Sequence, residues 1–256
     1  MAFVDTHTHL YLEQFDEDRD QAVDRALKAG VSRLLLPNVD RETIPALMQV
    51  SQAHPGTCLP MMGLHPTSVK PGFEAELEVV TDWLSRESFV AVGETGLDLY
   101  WDKTHLKEQI VALQAQAELA LKYDIPLVLH SRKSLNELFS VLREYKGSRL
   151  KGVFHCFPGN VPDAEKAIEL GFLLGIGGVI TYKNSTMAKV VGAVGLKHIL
   201  LETDAPYLPP VPYRGKRNES AYIPVIAEKV AEVTGDPLAR VEEITTANAR
   251  KLFNLE

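Results

Sequence analysis

Eight short apolar runs alternate with amphipathic helical stretches from one end of the chain to the other, and this alternation narrows the fold more than any other feature. The runs are Phe3–Asp5, Arg33–Leu36, Leu59–Met62, Phe89–Gly93, Pro126–Leu129, Gly152–Phe154, Phe172–Gly175 and Ile199–Leu201. Most are continuously apolar, as expected of strands buried on both faces. The stretches between them carry helix punctuation. Asp16–Ala29 has acids in its first turn and Gly30 after its end, and His105–Lys122 is soon followed by Pro126. Regular strand–helix succession specifies a parallel sheet with helical crossovers. Closing eight such units into a (β/α)8 TIM barrel removes the edge strands that an open sheet would expose, and 256 residues suit one barrel. A doubly wound open sheet is the competing architecture, weakened by the lack of GxGxxG after the first run. The expectation is therefore an α/β protein, a single barrel domain over residues 1–256, with the last helical stretch, Pro237–Phe253, packed outside. No low-complexity tract, internal repeat or linker divides the sequence.

Composition excludes several classes of function. An apolar content of 45% with 24% charged residues suits a chain that buries a sizeable core. The start, MAFVDTHTHL, has neither a basic leader nor an apolar signal stretch, and no run approaches the ~18 apolar residues of a membrane span. The reading is a cytoplasmic chain without membrane contact. Cys58 and Cys156 are too few for a disulfide framework or a cysteine-based zinc site. A net charge of -7 argues against a broad basic surface, so an anionic substrate must be met by locally placed cations.

Candidate metal ligands fall at strand ends. In Asp5-Thr6-His7-Thr8-His9 an extended backbone points His7 and His9 to the same side, where both can grip one ion; the alternative is a hydrogen-bonded histidine pair. Glu94 follows the fourth run, His130 the fifth and His155 the sixth, and Asp204 lies three residues beyond the eighth. In a barrel these ends converge on one face, so residues far apart in sequence become neighbours. Each histidine alone could be a core residue bonded to backbone, but four of the eight occupy such places, a grouping that points to a metal site.

The segments VDTHTHL at 4–10, GLHP at 63–66, GETGLDLYW at 93–101, LHSR at 129–132, HCFPG at 155–159, GIGGVITY at 175–182, ETDAPYLPP at 202–210 and YRGKRNE at 213–219 occur in one order across the chain. In these the sequence resembles the TatD family of metal-dependent deoxyribonucleases, within the wider amidohydrolase-type barrel hydrolases. The resemblance implies that His7, His9, Glu94, His130, His155 and Asp204 hold two divalent cations, Mg2+, Mn2+ or Zn2+, with their identity open. Glu94 can bridge an ion held by His7, His9 and Asp204 to another held by His130 and His155. Such a pair activates a water and clamps a phosphodiester, with Glu94 and Asp204 as the catalytic carboxylates and Asp204 the candidate proton acceptor. The implied activity is a 3′–5′ exonuclease on DNA that is single-stranded or has an accessible 3′ end, with no obligate protein partner.

Further residues have two readings each. Glu202, on the backbone face of Asp204, is expected to orient a histidine rather than bind metal directly. Arg132, and Arg214, Lys216 and Arg217 in the loop after the last run, are expected to contact phosphates; a solvated loop is the alternative. His65 contacts phosphate or fixes its own loop. Tyr100 and Trp101 form a stacking wall for a terminal nucleotide or simply pack. Gly175, Gly177 and Gly178 read as close backbone packing rather than a phosphate cradle. Two other functions compete: an ester or amide hydrolase such as a deacylase acting on aminoacyl-tRNA, and a non-catalytic metal-binding scaffold, against which the full ligand set argues.

Overall fold

In a computed structural model, which describes residues 2–255, the strands run β1 (Phe3–Asp5), β2 (Val31–Leu36), β3 (Cys58–Pro60), β4 (Val92–Asp98), β5 (Leu127–Arg132), β6 (Gly152–Phe154), β7 (Phe172–Ile176) and β8 (Ile199–Leu201). Helices separate them: α1 (Arg19–Lys28), α2 (Ile44–Ala53), α3 (Phe73–Arg86), α4 (Leu106–Tyr123), α5 (Leu135–Arg143), α6 (Val161–Glu169) and α7 (Met187–Val194), with α8 (Ile223–Thr234) and α9 (Leu238–Phe253) after β8. Every strand pairing is parallel, in the orders β1-β2-β3 and β4-β5-β6-β7-β8. Short links join the two groups. Met62 bridges Val92 on one side, and on the other Thr6 donates its N–H to the Leu201 carbonyl at 3.1 Å while Thr8 bridges Ala205. The architecture is the (β/α)8 barrel expected.

Several strand boundaries differ from the sequence reading, and two of the differences move site residues. Glu94 and His130 do not follow their strands; they lie inside β4 and β5. The ladder continues past them with Thr95 opposite Leu129, Gly96 opposite His130 and Asp98 opposite Arg132. The apolar pattern ends earlier because these side chains turn polar at the barrel mouth, whereas backbone pairing is indifferent to that change.

Two apolar layers hold the barrel. The larger lies between strands and surrounding helices. The inner one gathers Val4, Leu35, Met61, Ala91, Val128, Val153 and Leu200, and Ala249, Leu252 and Phe253 of α9 pack against it. Thr246 of the same helix donates to the Ala2 carbonyl, just before β1, so α9 lies outside the strand ring and covers its N-terminal end. Burial of the Phe253 ring contributes roughly 1.5–3 kcal/mol to that closure. The C-terminal strand ends are left as the open face.

Candidate metal centre

The ends of β1 and β8 are tied together before any ligand atom is placed. The buried Asp5 carboxylate accepts from the Thr203 N–H at 2.9 Å, the Thr203 hydroxyl at 2.6 Å and the His7 N–H at 3.3 Å. Burial pushes its carboxyl up to about 7, against the pull of these hydrogen bonds. Asp204 then donates its N–H to the His7 carbonyl at 2.9 Å, and His9 donates to that of Ala205 at 2.7 Å. Asp204 sits at φ 58°, a left-handed conformation costing a non-glycine residue on the order of 1 kcal/mol, held there by its partners.

Glu94 and His130 are juxtaposed by a glycine. Gly96 has φ +136°, and a Cβ there would lie 2.1 Å from the His130 carbonyl oxygen, so only glycine lets β4 press against β5 at this point. Glu94 Oε1 thereby comes 2.8 Å from His130 Nδ1. Its other oxygen, Oε2, lies 3.1 Å from His7 Nε2 and 3.7 Å from His9 Nε2. Asp204 Oδ1 lies 3.5 Å from His9 Nε2 and 3.9 Å from both His7 Nε2 and His155 Nε2. The His7 and His155 rings stack at 3.5 Å.

For His9, His130 and His65, neighbouring groups decide which nitrogen the imidazole turns inward. The Tyr11 hydroxyl donates to the Pro37 carbonyl at 2.7 Å, so its oxygen accepts from His9 Nδ1–H at 3.0 Å and leaves the His9 Nε2 lone pair facing the cluster. Asp98 Oδ2 stands 3.0 Å from His130 Nε2 and accepts the N–H of that nitrogen, so a neutral His130 has its lone pair on Nδ1, the nitrogen turned toward Glu94. His65 is arranged in the opposite sense. Its Nδ1 accepts the Thr67 N–H at 3.1 Å, placing the ring proton on Nε2, 3.4 Å from Glu94 Oε1. Behind His155, Glu202 Oε1 accepts the Cys156 N–H at 2.5 Å and lies 3.2 Å from His155 Nδ1. Gly175 makes room for this carboxylate, because a Cβ there would meet Glu202 Oε2 at 2.3 Å.

Buried carboxylates and imidazoles balance one another here. Burial opposes ionisation of Glu94, but His65, His155 and His7 overcome it and hold the carboxyl well below its usual range. Asp204 is held down likewise, against burial, by His155, His9 and His7. Burial works against a charge on His155, yet Glu202, Glu94 and Asp204 push it up to about 10. Three overlapping sets have donor atoms within 4.8 Å of one another: His7, His155 and Asp204; His7, His9 and Glu94; His65, Glu94 and His130. Imidazole nitrogens turned inward beside ionised carboxylates are a donor set suited to divalent transition metals.

The residues expected to meet substrate are more scattered. Arg132 stands exposed at the end of β5, over the Tyr100 ring at 4.0 Å. Arg214 lies over Tyr182 at 4.4 Å, and Lys216 is exposed in the same loop. Arg217 is not brought to the cluster. Its guanidinium grips Asp18 at 2.6 and 2.9 Å, donates to the Gln14 carbonyl at 2.7 Å and covers Phe15. Sequence reasoning missed Tyr11 and Asp98. Asp98 was within reach of it: in a strand, positions 94, 96 and 98 share a face, so a carboxylate four residues after Glu94 points the same way.

A (β/α)8 barrel whose strand ends gather histidines and carboxylates at one mouth is the framework of a metal-dependent hydrolase. The family model described as TatD related DNase matches residues 4–254, and the chain belongs to the TatD family. It is 34% identical over 98% of both chains to an uncharacterized metal-dependent hydrolase, YabD, of Bacillus subtilis. It is 32% identical to a 3′-5′ ssDNA/RNA exonuclease TatD of Pectobacterium carotovorum, over 98% of this chain and 99% of that one. Among solved structures, the TatD homolog YjjV of Escherichia coli superposes with a TM-score of 0.93 at 31% identity, covering 99% of this chain and 98% of the other. No helix among the described residues is long and apolar enough to cross a membrane.

Proposed function

We propose that this metal-dependent hydrolase is a cytoplasmic 3′–5′ exonuclease that cleaves phosphodiester bonds of single-stranded DNA with two divalent cations, Mg2+, Mn2+ or Zn2+. The observation that carries the reading is the contrast between His65 and its neighbours. His9 and His130 turn lone pairs inward, as metal ligands do, while His65 presents an N–H from the same wall, as a phosphate contact does. His7, His9, His130 and His155 would hold the cations together with Glu94 and Asp204. Bound there, the cations supply Lewis acidity that activates water and neutralises phosphate charge.

The remaining steps belong to the protein. Asp204, whose carboxylate stays ionised and is 15% exposed, accepts the proton of the attacking water at Oδ1 or Oδ2. Glu94 spans the site between its two oxygens, with Oε1 2.8 Å from His130 Nδ1 and Oε2 3.1 Å from His7 Nε2. His65 Nε2–H holds a phosphate oxygen, and Arg132, Arg214 and Lys216 offset the protein's negative charge along the strand's path. The relative named as an ssDNA/RNA exonuclease supports a nucleic-acid substrate.

The test is cleavage of 3′-labelled single-stranded DNA by metal-stripped protein supplemented in turn with Mg2+, Mn2+ and Zn2+, beside Glu94→Ala. Stepwise trimming that needs metal and is abolished in the variant is expected. Equal trimming by both proteins, or none by either while aminoacyl esters are hydrolysed, would overturn the proposal.

A further inference from the structure

Resting on that nucleic-acid reading, we propose that Tyr100 and Trp101, backed by Arg132 and Lys133, form a stacking subsite for an unpaired nucleobase beside the metal centre. These two rings are adjacent and unusually open for their size, with Tyr100 47% and Trp101 69% exposed. They meet edge to face at 5.0 Å. The Arg132 guanidinium lies 4.0 Å from the Tyr100 centroid and 5.1 Å from that of Trp101, and Lys133 Nζ lies 4.9 Å from Tyr100. Among the described residues neither cation has a carboxylate partner, so their charge is free for an anion.

Asp98 holds this pair against the metal site. Its Oδ1 accepts the N–H of Tyr100 at 2.9 Å and of Trp101 at 3.2 Å, while its Oδ2 faces His130 Nε2. Arg132 stands opposite Asp98 in the ladder, two residues beyond His130, or about 6.6 Å along the strand at ~3.3 Å per residue. A ligand lying on the rings is therefore next to the reacting centre. A cavity of about 240 Å³ opens beside Trp101, walled by Pro66, Val69, Lys70, Pro71 and His105.

The occupant follows from the combination. Open π faces accept any base, and cations at their edge accept the adjoining phosphate, the pairing by which proteins hold single strands without reading sequence. A duplex cannot use the subsite, since its bases are already stacked. The subsite thus selects unpaired termini and delivers the neighbouring phosphate to the cluster.

Trp83 and Trp101 are the only tryptophans, so Trp83→Phe protein reports on Trp101 alone. The metal-loaded variant is titrated with a phosphorothioate-linked pentathymidylate, which resists cleavage, and with an abasic strand of equal length. Saturable quenching by the thymidylate and none by the abasic strand is expected. With cleavable oligonucleotide, Trp101→Ala should raise KM roughly 5- to 150-fold, as removal of one stacked base does, and Trp101→Phe should recover most of it. Trimming by the wild type without quenching, or equal quenching by both strands, overturns the subsite and leaves the nuclease reading standing. Base-dependent quenching without trimming under any of the three metals upholds the subsite and overturns the nuclease reading. Failure of both measurements overturns both.

Discussion

Replacing Asp98 by asparagine exchanges one oxygen for an NH2 group and leaves the side chain's shape unchanged. The two backbone donors of Tyr100 and Trp101 need an acceptor at Oδ1, so the amide keeps its oxygen there and turns its NH2 toward His130. His130 Nε2, now 3.0 Å from a donor instead of an acceptor, must carry the lone pair, which moves the ring proton to Nδ1, the atom facing Glu94. A nitrogen that must lose a proton before it can bind metal binds it less well. Asp98 is 2% exposed, so the hydrogen bond being lost is a buried charge-assisted one of about 1.5–3 kcal/mol. That agrees with the 10- to 100-fold loss of metal affinity, about 1.4–2.7 kcal/mol, typical when such an orienting partner is changed. Competition with a chromophoric chelator for Zn2+ or Mn2+ measures it directly, and urea unfolding checks that the asparagine protein keeps its fold. Affinity within twofold of the parent at every site, in a folded variant, would refute the tautomer argument for His130 and with it the role given to Asp98.

Glu202→Ala in metal-loaded protein removes the acceptor of the Cys156 N–H and the carboxylate behind His155, and should cost about 3 kcal/mol in urea unfolding; an unchanged midpoint would reject the buried contact. Gly96→Ala drives a Cβ into the His130 carbonyl and should cost at least about 3 kcal/mol, read as a lowered thermal midpoint. Arg217, helped by Arg25 and against the opposing effect of burial, holds the Asp18 carboxyl well below its unfolded value near 3.8. A folded pKa below the unfolded one adds stability that is present above about 3.8 and lost as pH falls through the folded value. The urea midpoint of Asp18→Asn should therefore lie below the parent's at pH 7, and the gap should narrow as pH drops below 4; a gap independent of pH would contradict the ion pair.

How far the sequence could be read depended on whether a feature is set by position along a strand or by contact across the barrel. A polar residue at the end of an apolar run maps onto the barrel mouth whatever else the chain does, which is why His7, His155 and Asp204 could be placed by counting. The same rule slipped by a few residues at Glu94 and His130, where the runs lose their apolar character before the ladder ends. Arg217 was beyond it. Its place in a basic loop suggested phosphate, but its partner Asp18 lies 199 residues away, and no local pattern records that pairing. Imidazole shows the limit most sharply. As a residue type it is both donor and acceptor, so a histidine at the mouth is equally fit to hold a cation or a phosphate. What separates His9 from His65 is a Tyr11 hydroxyl committed to the Pro37 carbonyl in one case and a Thr67 N–H in the other. The strand pattern can gather the imidazoles at one mouth, but the roles of their nitrogens are assigned by hydrogen bonds that only the folded chain brings together.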